Sequence, residues 1–165
     1  ARRFLPFALV VLLLTPMQTT AEELLFRGYL LQATGHVGRN FVVLSLVNGI
    51  LFMVPHLGNP ELAASAILLP LFYLSIGGFF AYLTLRDNSA ALAIGAHASN
   101  NLYSALFANY TGSALQTESI FLVTELDAVY ALASFWVMAV IFYLVLLWRQ
   151  RKTAVPTGST VDDTI

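Results

Sequence analysis

The chain has 165 residues, of which 58% are hydrophobic and 10% are charged, and its mean hydropathy is +0.76. This composition lies outside the range of soluble domains and predicts an integral membrane protein. The absence of cysteine excludes disulfides, thiolate metal sites and a cysteine nucleophile, and a net charge of -1 with scattered basic residues excludes nucleic acid as a partner.

Turn residues and charges divide the chain into six apolar segments, A to F, with no internal repeat. Pro16 is expected to stop or kink segment A, and segment D would be about 36 Å long as a helix, enough to cross a bilayer. Small residues in segment E, among them Gly95, favour close contact between helices. We therefore predict an all-α, polytopic transmembrane helical bundle of about six membrane segments. The segments are A, residues 4–14; B, 20–34; C, 40–56; D, 62–85; E, 90–107; and F, 128–148.

The charges between the segments predict an orientation. If all six segments cross the membrane, every basic residue except Arg27 lies at one end of the bundle, and four acidic loop residues lie at the other, namely Glu61, Glu118, Glu125 and Asp127. The excess of basic residues on cytoplasmic loops then places both termini in the cytoplasm. The charged, turn-rich residues 153–165 are predicted to form a disordered tail.

Segment B carries "TTAEELLFRGYL", which places Glu22, Glu23 and Arg27 in an apolar chain. On a helix, Glu23 and Arg27 share a face and can form an ion pair, whereas Glu22 points about 100° away. A structural alternative is a capping box with Thr20 as the N-cap and Glu23 three residues later, but it explains neither Glu22 nor Arg27. A carboxylate in a low-dielectric site can accept and return a proton, so Glu22 is a candidate catalytic base.

Two histidines lie on other apolar segments: His56 ends segment C, and His97 precedes Asn101 by one turn in segment E. A single histidine of this kind is often a core residue or an interfacial anchor. Intramembrane polar groups from three helices, however, usually face inward and meet one another. Glu22 and His56 could then activate a water, while His97 and Asn101 could donate hydrogen bonds to an oxyanion.

A metal site is the competing interpretation. Glu22, His56 and His97 would supply the set of two histidines and one glutamate that catalytic zinc uses. No HExxH motif is present, so this hypothesis rests on residue type alone. The preferred interpretation requires no cofactor, and a divalent metal such as zinc is its alternative.

The ordered motifs resemble a known family. Glu-Glu-x-x-x-Arg at residues 22–27, Phe-x-x-x-His at 52–56 and His-x-x-x-Asn at 97–101 are similar to the three motifs of the CPBP or Abi family of CAAX proteases and bacteriocin-processing enzymes, which includes type II prenyl-protein endopeptidases. The resemblance covers roughly residues 16–107.

The resemblance implies an intramembrane endopeptidase formed by residues 1–152, with further helices before Ala1. It implies that Glu22 and His56 activate water, that His97 and Asn101 form the oxyanion site, and that Glu23 and Arg27 support the first motif. The family is often labelled a metalloprotease, although a metal-free glutamate mechanism is also argued for it. Expected partners are a peptide or lipidated-protein substrate and membrane lipids, in a multi-pass protein of the bacterial cytoplasmic membrane.

Two other functions stay open at this point. One is a catalytically silent binding or bacteriocin-immunity protein, and the other is a proton-coupled transporter. The six-segment orientation also puts the candidate site in the outer half of the bilayer, whereas the processing of prenylated proteins needs access from the cytosol. One of these two inferences must therefore fail unless the substrate is not prenylated.

Overall fold

The computed structural model of the protein describes the backbone of residues 4–153 and the side chains of residues 4–149. The described chain is a helical bundle with one short pair of strands, which confirms the predicted all-α membrane bundle. The predicted disordered tail falls almost wholly on residues 154–165, which lie outside the described residues. In chain order the elements are α1 (Phe4–Glu23), a π-helical segment (Leu24–Leu30), α2 (Leu31–Gly35), α3 (Phe41–His56), a 3-10 turn (Pro60–Ala64), α4 (Leu68–Asp87), α5 (Ala91–Leu106), β1 (Ala108–Tyr110), β2 (Phe121–Val123) and α6 (Ala128–Thr153).

Segments A and B form one continuous helical run, Phe4–Gly35, and their predicted separation is wrong. Pro16 lies inside α1 and does not end it. Helices of membrane proteins tolerate proline because nearby hydroxyls and neighbouring helices satisfy freed backbone groups. Separately from the carbonyl that Pro16 frees, the hydroxyl of the buried Thr19 donates within α1 to the carbonyl of Thr15 at 3.0 Å. The predicted capping box is also wrong, since Thr20 lies inside a helix rather than at its start.

Five helical runs therefore replace the six predicted segments within residues 4–153. Three of them are long and apolar enough to cross a membrane, namely Phe4–Gly35, Leu68–Asp87 and Ala128–Arg149, and Phe41–His56 is a shorter apolar helix. The orientation derived above depended on an even number of crossings. Because the described residues form five helical runs rather than six, the charge pattern no longer places both termini on the same side of the membrane.

The π-helical segment directly follows Glu23 and contains Arg27. At its end the N–H of Leu31 donates to the carbonyl of Phe26, five residues back, instead of the usual four. This wider turn changes which side chains face the bundle. Isolated π-helical turns often occur at functional positions, and this one lies at the polar cluster, between the 20 residues of α1 and the five residues of α2.

The closest helix contact joins α3 and α4 through glycines. A Cβ atom on Gly49 would lie 2.7 Å from the carbonyl oxygen of Leu74, and one on Gly77 would lie 2.6 Å from the Cβ of Phe52. Only glycine permits this approach of the two backbones. The close contact predicted for Gly95 in α5 is not found, because a Cβ there would have no neighbour within 4 Å.

The core of the bundle lies where α3, α4, α5 and the π-helical segment meet, and α6 packs against the outer side of α4. Between α5 and α6, β1 and β2 pair in parallel, with Ala108 opposite Phe121. The side chain of Asn109 holds the intervening loop by donating to the carbonyl of Leu115 and to the hydroxyl of Thr117, both at 2.7 Å. The buried members of the core are Phe26, Phe52, Ile76, Phe80, Leu83 and Ala93.

Candidate active site

Glu23 is the centre of a buried polar cluster. Its Oε1 atom accepts a hydrogen bond from Arg27 Nη1 at 2.9 Å and lies 2.7 Å from His97 Nδ1. The side chains of Glu23 and Arg27 are both 0% exposed. Because an ionised carboxylate can only accept, Nδ1 of His97 carries a proton in this contact. Segments B and E therefore meet as predicted, and Glu23 determines how the His97 ring is oriented.

The other nitrogen of His97 faces Glu22 and Asn101. Nε2 lies 3.8 Å from Glu22 Oε2, which is longer than a direct hydrogen bond, and 3.4 Å from Asn101 Nδ2. Glu22 is 27% exposed, and its Oε1 accepts a hydrogen bond from Gln18 at 2.8 Å. The two adjacent glutamates thus lie on opposite sides of the His97 imidazole. Glu23 is buried and contacts Nδ1, whereas Glu22 is partly exposed to solvent and lies near Nε2.

Arg27 is held by more than its ion pair. Its Nη2 donates to the carbonyl of Gly77 on α4 at 3.0 Å. The guanidinium carbon lies 4.8 Å from the ring centroid of Phe52 and between 5.4 and 5.7 Å from those of Phe80 and Phe26. Aromatic faces attract a cation most strongly when water is excluded. These contacts offset part of the desolvation cost of a charge inside an apolar bundle.

His56 lies beside the cluster rather than inside it. Its Nδ1 is 2.7 Å from the carbonyl of Phe52, so this nitrogen is the donor, and in the neutral ring Nε2 is free to accept. The ring of Phe52 contacts both imidazoles, with centroids 4.5 Å from His56 and 5.8 Å from His97. No hydrogen bond joins His56 to Glu22 among the described residues.

The six predicted site residues thus separate into two groups. Five of them form one connected network, and His56 adjoins it through Phe52. Their catalytic roles stay predictions. The network consists of Glu22, Glu23, Arg27, His97 and Asn101.

The residues proposed as zinc ligands are not brought together into one metal site within the described part of the chain. In each histidine Nδ1 is bonded, to a carboxylate in His97 and to a backbone carbonyl in His56, so Nε2 is the nitrogen left for a further ligand. Within residues 4–149 no group of three His, Asp or Glu side chains has a geometry that could hold a metal ion. No step of the chemistry below is therefore routed through a metal.

Sequence reasoning missed two contributors to the site. Gln18 binds Glu22 from one turn before it, and the spacing of four residues was a signal that could have indicated the contact. Gly77 supplies a carbonyl to Arg27 from 50 residues away, and no local pattern signals that contact. The third histidine, His36, is exposed just after α2 and lies outside this network.

The two loops at the His56 end of the bundle line a half-open pocket of about 300 Å³. Its lining includes Glu61 from the 3-10 turn, Tyr110 from β1 and Glu125 from the loop before α6. Burial and the charge of Glu61 raise the pKa of Tyr110 to about 12. The lining therefore contains two acidic side chains, Glu61 and Glu125.

An apolar helical bundle that buries a carboxylate, a guanidinium and an imidazole together defines an integral membrane protein with an internal polar site. The family model described as type II CAAX prenyl endopeptidase Rce1-like matches residues 2–103, and the chain belongs to this Rce1-like family. This confirms the resemblance carried by the three motifs, all of which lie within the matched residues.

The chain is also similar to the uncharacterized protein YyaK of Bacillus subtilis (strain 168). The two are 36% identical over 156 residues, which cover 93% of this chain and 52% of YyaK. The chain thus spans about half the length of the curated relative it matches. No solved structure matches the chain.

Proposed function

We propose that the protein is an intramembrane endopeptidase that hydrolyses a peptide bond near the membrane surface with a water activated by Glu22. The observation that carries the proposal is the position of His97, which is bonded through Nδ1 to the buried Glu23 and directs Nε2 toward Glu22 and Asn101. Membership of the Rce1-like family supports a peptidase. The substrate class that follows is a lipidated or membrane-bound peptide.

In the proposed reaction, the carboxylate of Glu22 takes a proton from water as the water oxygen bonds to the carbonyl carbon of the scissile peptide. The oxyanion that forms accepts a hydrogen bond from Asn101 Nδ2 and, when both nitrogens of His97 are protonated, another from Nε2–H. The C–N bond then breaks, and the proton held by Glu22 passes to the leaving amine. His56, with Nε2 free, is a second acceptor for the attacking water.

Glu23 and Arg27 have a supporting role in this proposal. Glu23 fixes the proton on Nδ1 of His97, and Arg27 holds Glu23 by the ion pair. A carboxylate that orients an imidazole in this way is common in hydrolytic sites. The membrane location proposed with this function is a multi-pass arrangement in the bacterial cytoplasmic membrane, which the apolar helices support.

The test uses Glu22→Gln, which keeps the size of the side chain and removes its ability to take a proton. Cleavage of a quenched fluorescent peptide that carries a farnesylated cysteine, and of its unprenylated counterpart, is measured in proteoliposomes. We expect Glu22→Gln to lose at least about a hundredfold in turnover, the lower range for loss of a general base. Glu118→Gln, a matched change at an exposed loop residue, should cleave like the wild type.

Wild-type turnover by Glu22→Gln would refute the assignment of the base. Capture of the peptide by the wild-type protein without any cleavage would instead support the silent binding protein. Preference between the two peptides decides whether prenylation contributes to recognition.

A further inference from the structure

We propose that Tyr73 is a positioning residue for His56 and that Glu61 acts through it. This inference rests on the proposed function, in which the free nitrogen of His56 helps to hold the attacking water. It concerns residues outside the three motifs: Tyr73 lies on α4, and Glu61 lies on the 3-10 turn.

Two aromatic rings define the plane of the His56 imidazole. The ring of Tyr73 stacks on it with a centroid distance of 4.4 Å and an angle of 30°, and the ring of Phe52 lies at 4.5 Å with the same angle. On its other side the ring is held by one hydrogen bond, from Nδ1 to the backbone, and a single bond of this kind tolerates some rotation about Cβ–Cγ. The Tyr73 ring restricts this rotation and so determines where Nε2 points.

Tyr73 is in turn held by its hydroxyl group. The hydroxyl donates to Oε1 of Glu61 and accepts from Nδ2 of Asn59 at 3.0 Å. The same amide of Asn59 donates to Glu61 Oε1 at 3.1 Å. These three polar side chains form a closed network, which we call the Tyr73 clamp, beside the candidate site.

The Tyr73 clamp is tied to the backbone on its far side. Oε2 of Glu61 accepts a hydrogen bond from the N–H of Ala114 at 3.0 Å, in the loop between β1 and β2. Glu61 is only 7% exposed, so burying its carboxylate costs desolvation free energy. Closing the loops would not by itself require a buried carboxylate. An apolar residue could close these loops, but it could not accept a hydrogen bond from a tyrosine hydroxyl stacked through its ring on His56. That difference favours a role in positioning.

The test separates the hydroxyl, the ring and the carboxylate of the clamp. Tyr73→Phe keeps the stacked ring and loses its anchor, Tyr73→Leu loses the ring, and Glu61→Met removes both carboxylate oxygens and with them the acceptor of the hydroxyl. Small displacements of catalytic groups reduce turnover up to about a hundredfold. We expect kcat to fall about tenfold in Tyr73→Phe and in Glu61→Met and more in Tyr73→Leu, with KM little changed.

The double variant Tyr73→Phe with Glu61→Met decides whether Glu61 acts through Tyr73. If both changes release the same ring, the double variant loses about tenfold, as each single variant does, rather than about a hundredfold. Independent effects that multiply would overturn the proposal for Glu61. Tyr130→Phe and Tyr130→Leu, at an exposed position on α6, are the matched controls and should leave kcat unchanged.

Other outcomes are equally decisive. A lower unfolding temperature with unchanged kcat, measured well below that temperature, would show that the clamp is only structural and would overturn the proposal. If Tyr73→Leu does not fold, Tyr73→Phe and the double variant still decide the question. Wild-type kcat in the Tyr73 variants together with an inactive Glu22→Gln protein would reject this inference alone, whereas an active Glu22→Gln protein would reject the proposed function.

Discussion

The buried ion pair of Glu23 and Arg27 makes a quantitative prediction about stability. Replacing Glu23 by Gln leaves an arginine charge at a position that is 0% exposed, and replacing Arg27 by Met leaves an unpaired carboxylate there. Removing one partner of a buried ion pair typically destabilises a protein by about 3 to 5 kcal/mol. Arg27 would keep its bond to the Gly77 carbonyl and its aromatic contacts. Glu23 would keep its contact with His97. We therefore expect about 3 kcal/mol for each single variant, the lower end of that range.

The double variant, Glu23→Gln with Arg27→Met, should be more stable than the sum of the two changes predicts. No buried charge of the pair is left, and buried ion pairs can often be replaced by neutral residues at little cost. The lost hydrogen bond to Gly77 and imperfect packing of Met leave a cost of about 2 kcal/mol. An additive pair would cost about 6 kcal/mol, so the expected coupling is about 4 kcal/mol.

Reversible unfolding in mixed micelles of dodecyl maltoside and sodium dodecyl sulfate measures these free energies, with Trp136 and Trp148 on α6 as fluorescent probes. Glu118→Gln, at an exposed loop position, should stay within about 0.5 kcal/mol of the wild type. The reasoning fails if each single variant costs under about 1 kcal/mol, or if the double variant equals their sum within about 0.5 kcal/mol.

Three further predictions concern the site and the helix contact that supports it. His97→Ala and Asn101→Ala should each lower kcat about 10² to 10³-fold with little change in KM, and an equal loss of substrate binding would contradict an oxyanion role. Gly49→Ala should destabilise the bundle by about 1 to 3 kcal/mol because its Cβ would meet the Leu74 carbonyl at 2.7 Å. Gly95→Ala, which has open space, should be neutral or slightly stabilising, and equal effects of the two would refute the contact. Turnover should persist after dialysis against EDTA, and activity that returns only with zinc would reject the metal-free proposal.

The ion pair was predictable from sequence. The different positions of Glu22 and Glu23 relative to His97 were predictable only in part. A spacing of four residues indicates that Glu23 and Arg27 meet, and they do so at 2.9 Å. Adjacent residues point about 100° apart, so only one glutamate can face the buried histidine. Which one does so depends on the packing of α1 against α5 and on the π-helical turn that follows, and neither is encoded in a short motif.

The continuity of segments A and B could not be predicted because proline and threonine have different effects on a helix in water and inside an apolar bundle. In water, Pro16 and the threonines after it favour a helix end and a new cap. Inside an apolar bundle an open backbone turn would leave polar groups without partners, and continuing the helix costs less. Thr19 is fully buried, and its hydroxyl donates within α1 rather than capping a new helix.

The Phe-x-x-x-His motif acquires a physical explanation that its spacing alone does not provide. Phe52 has three contacts at once: its carbonyl accepts from His56 Nδ1, its ring covers the guanidinium of Arg27, and its Cβ lies against the position where Gly77 has no side chain. A smaller apolar residue would still offer the carbonyl but would uncover the charge. A larger residue in place of Gly77 would displace Phe52 and disturb the carbonyl that Arg27 binds. Phe52 therefore separates the guanidinium of Arg27 from the imidazole of His56. The chemistry proposed for His56 thus depends on a side chain that takes no part in any proton transfer.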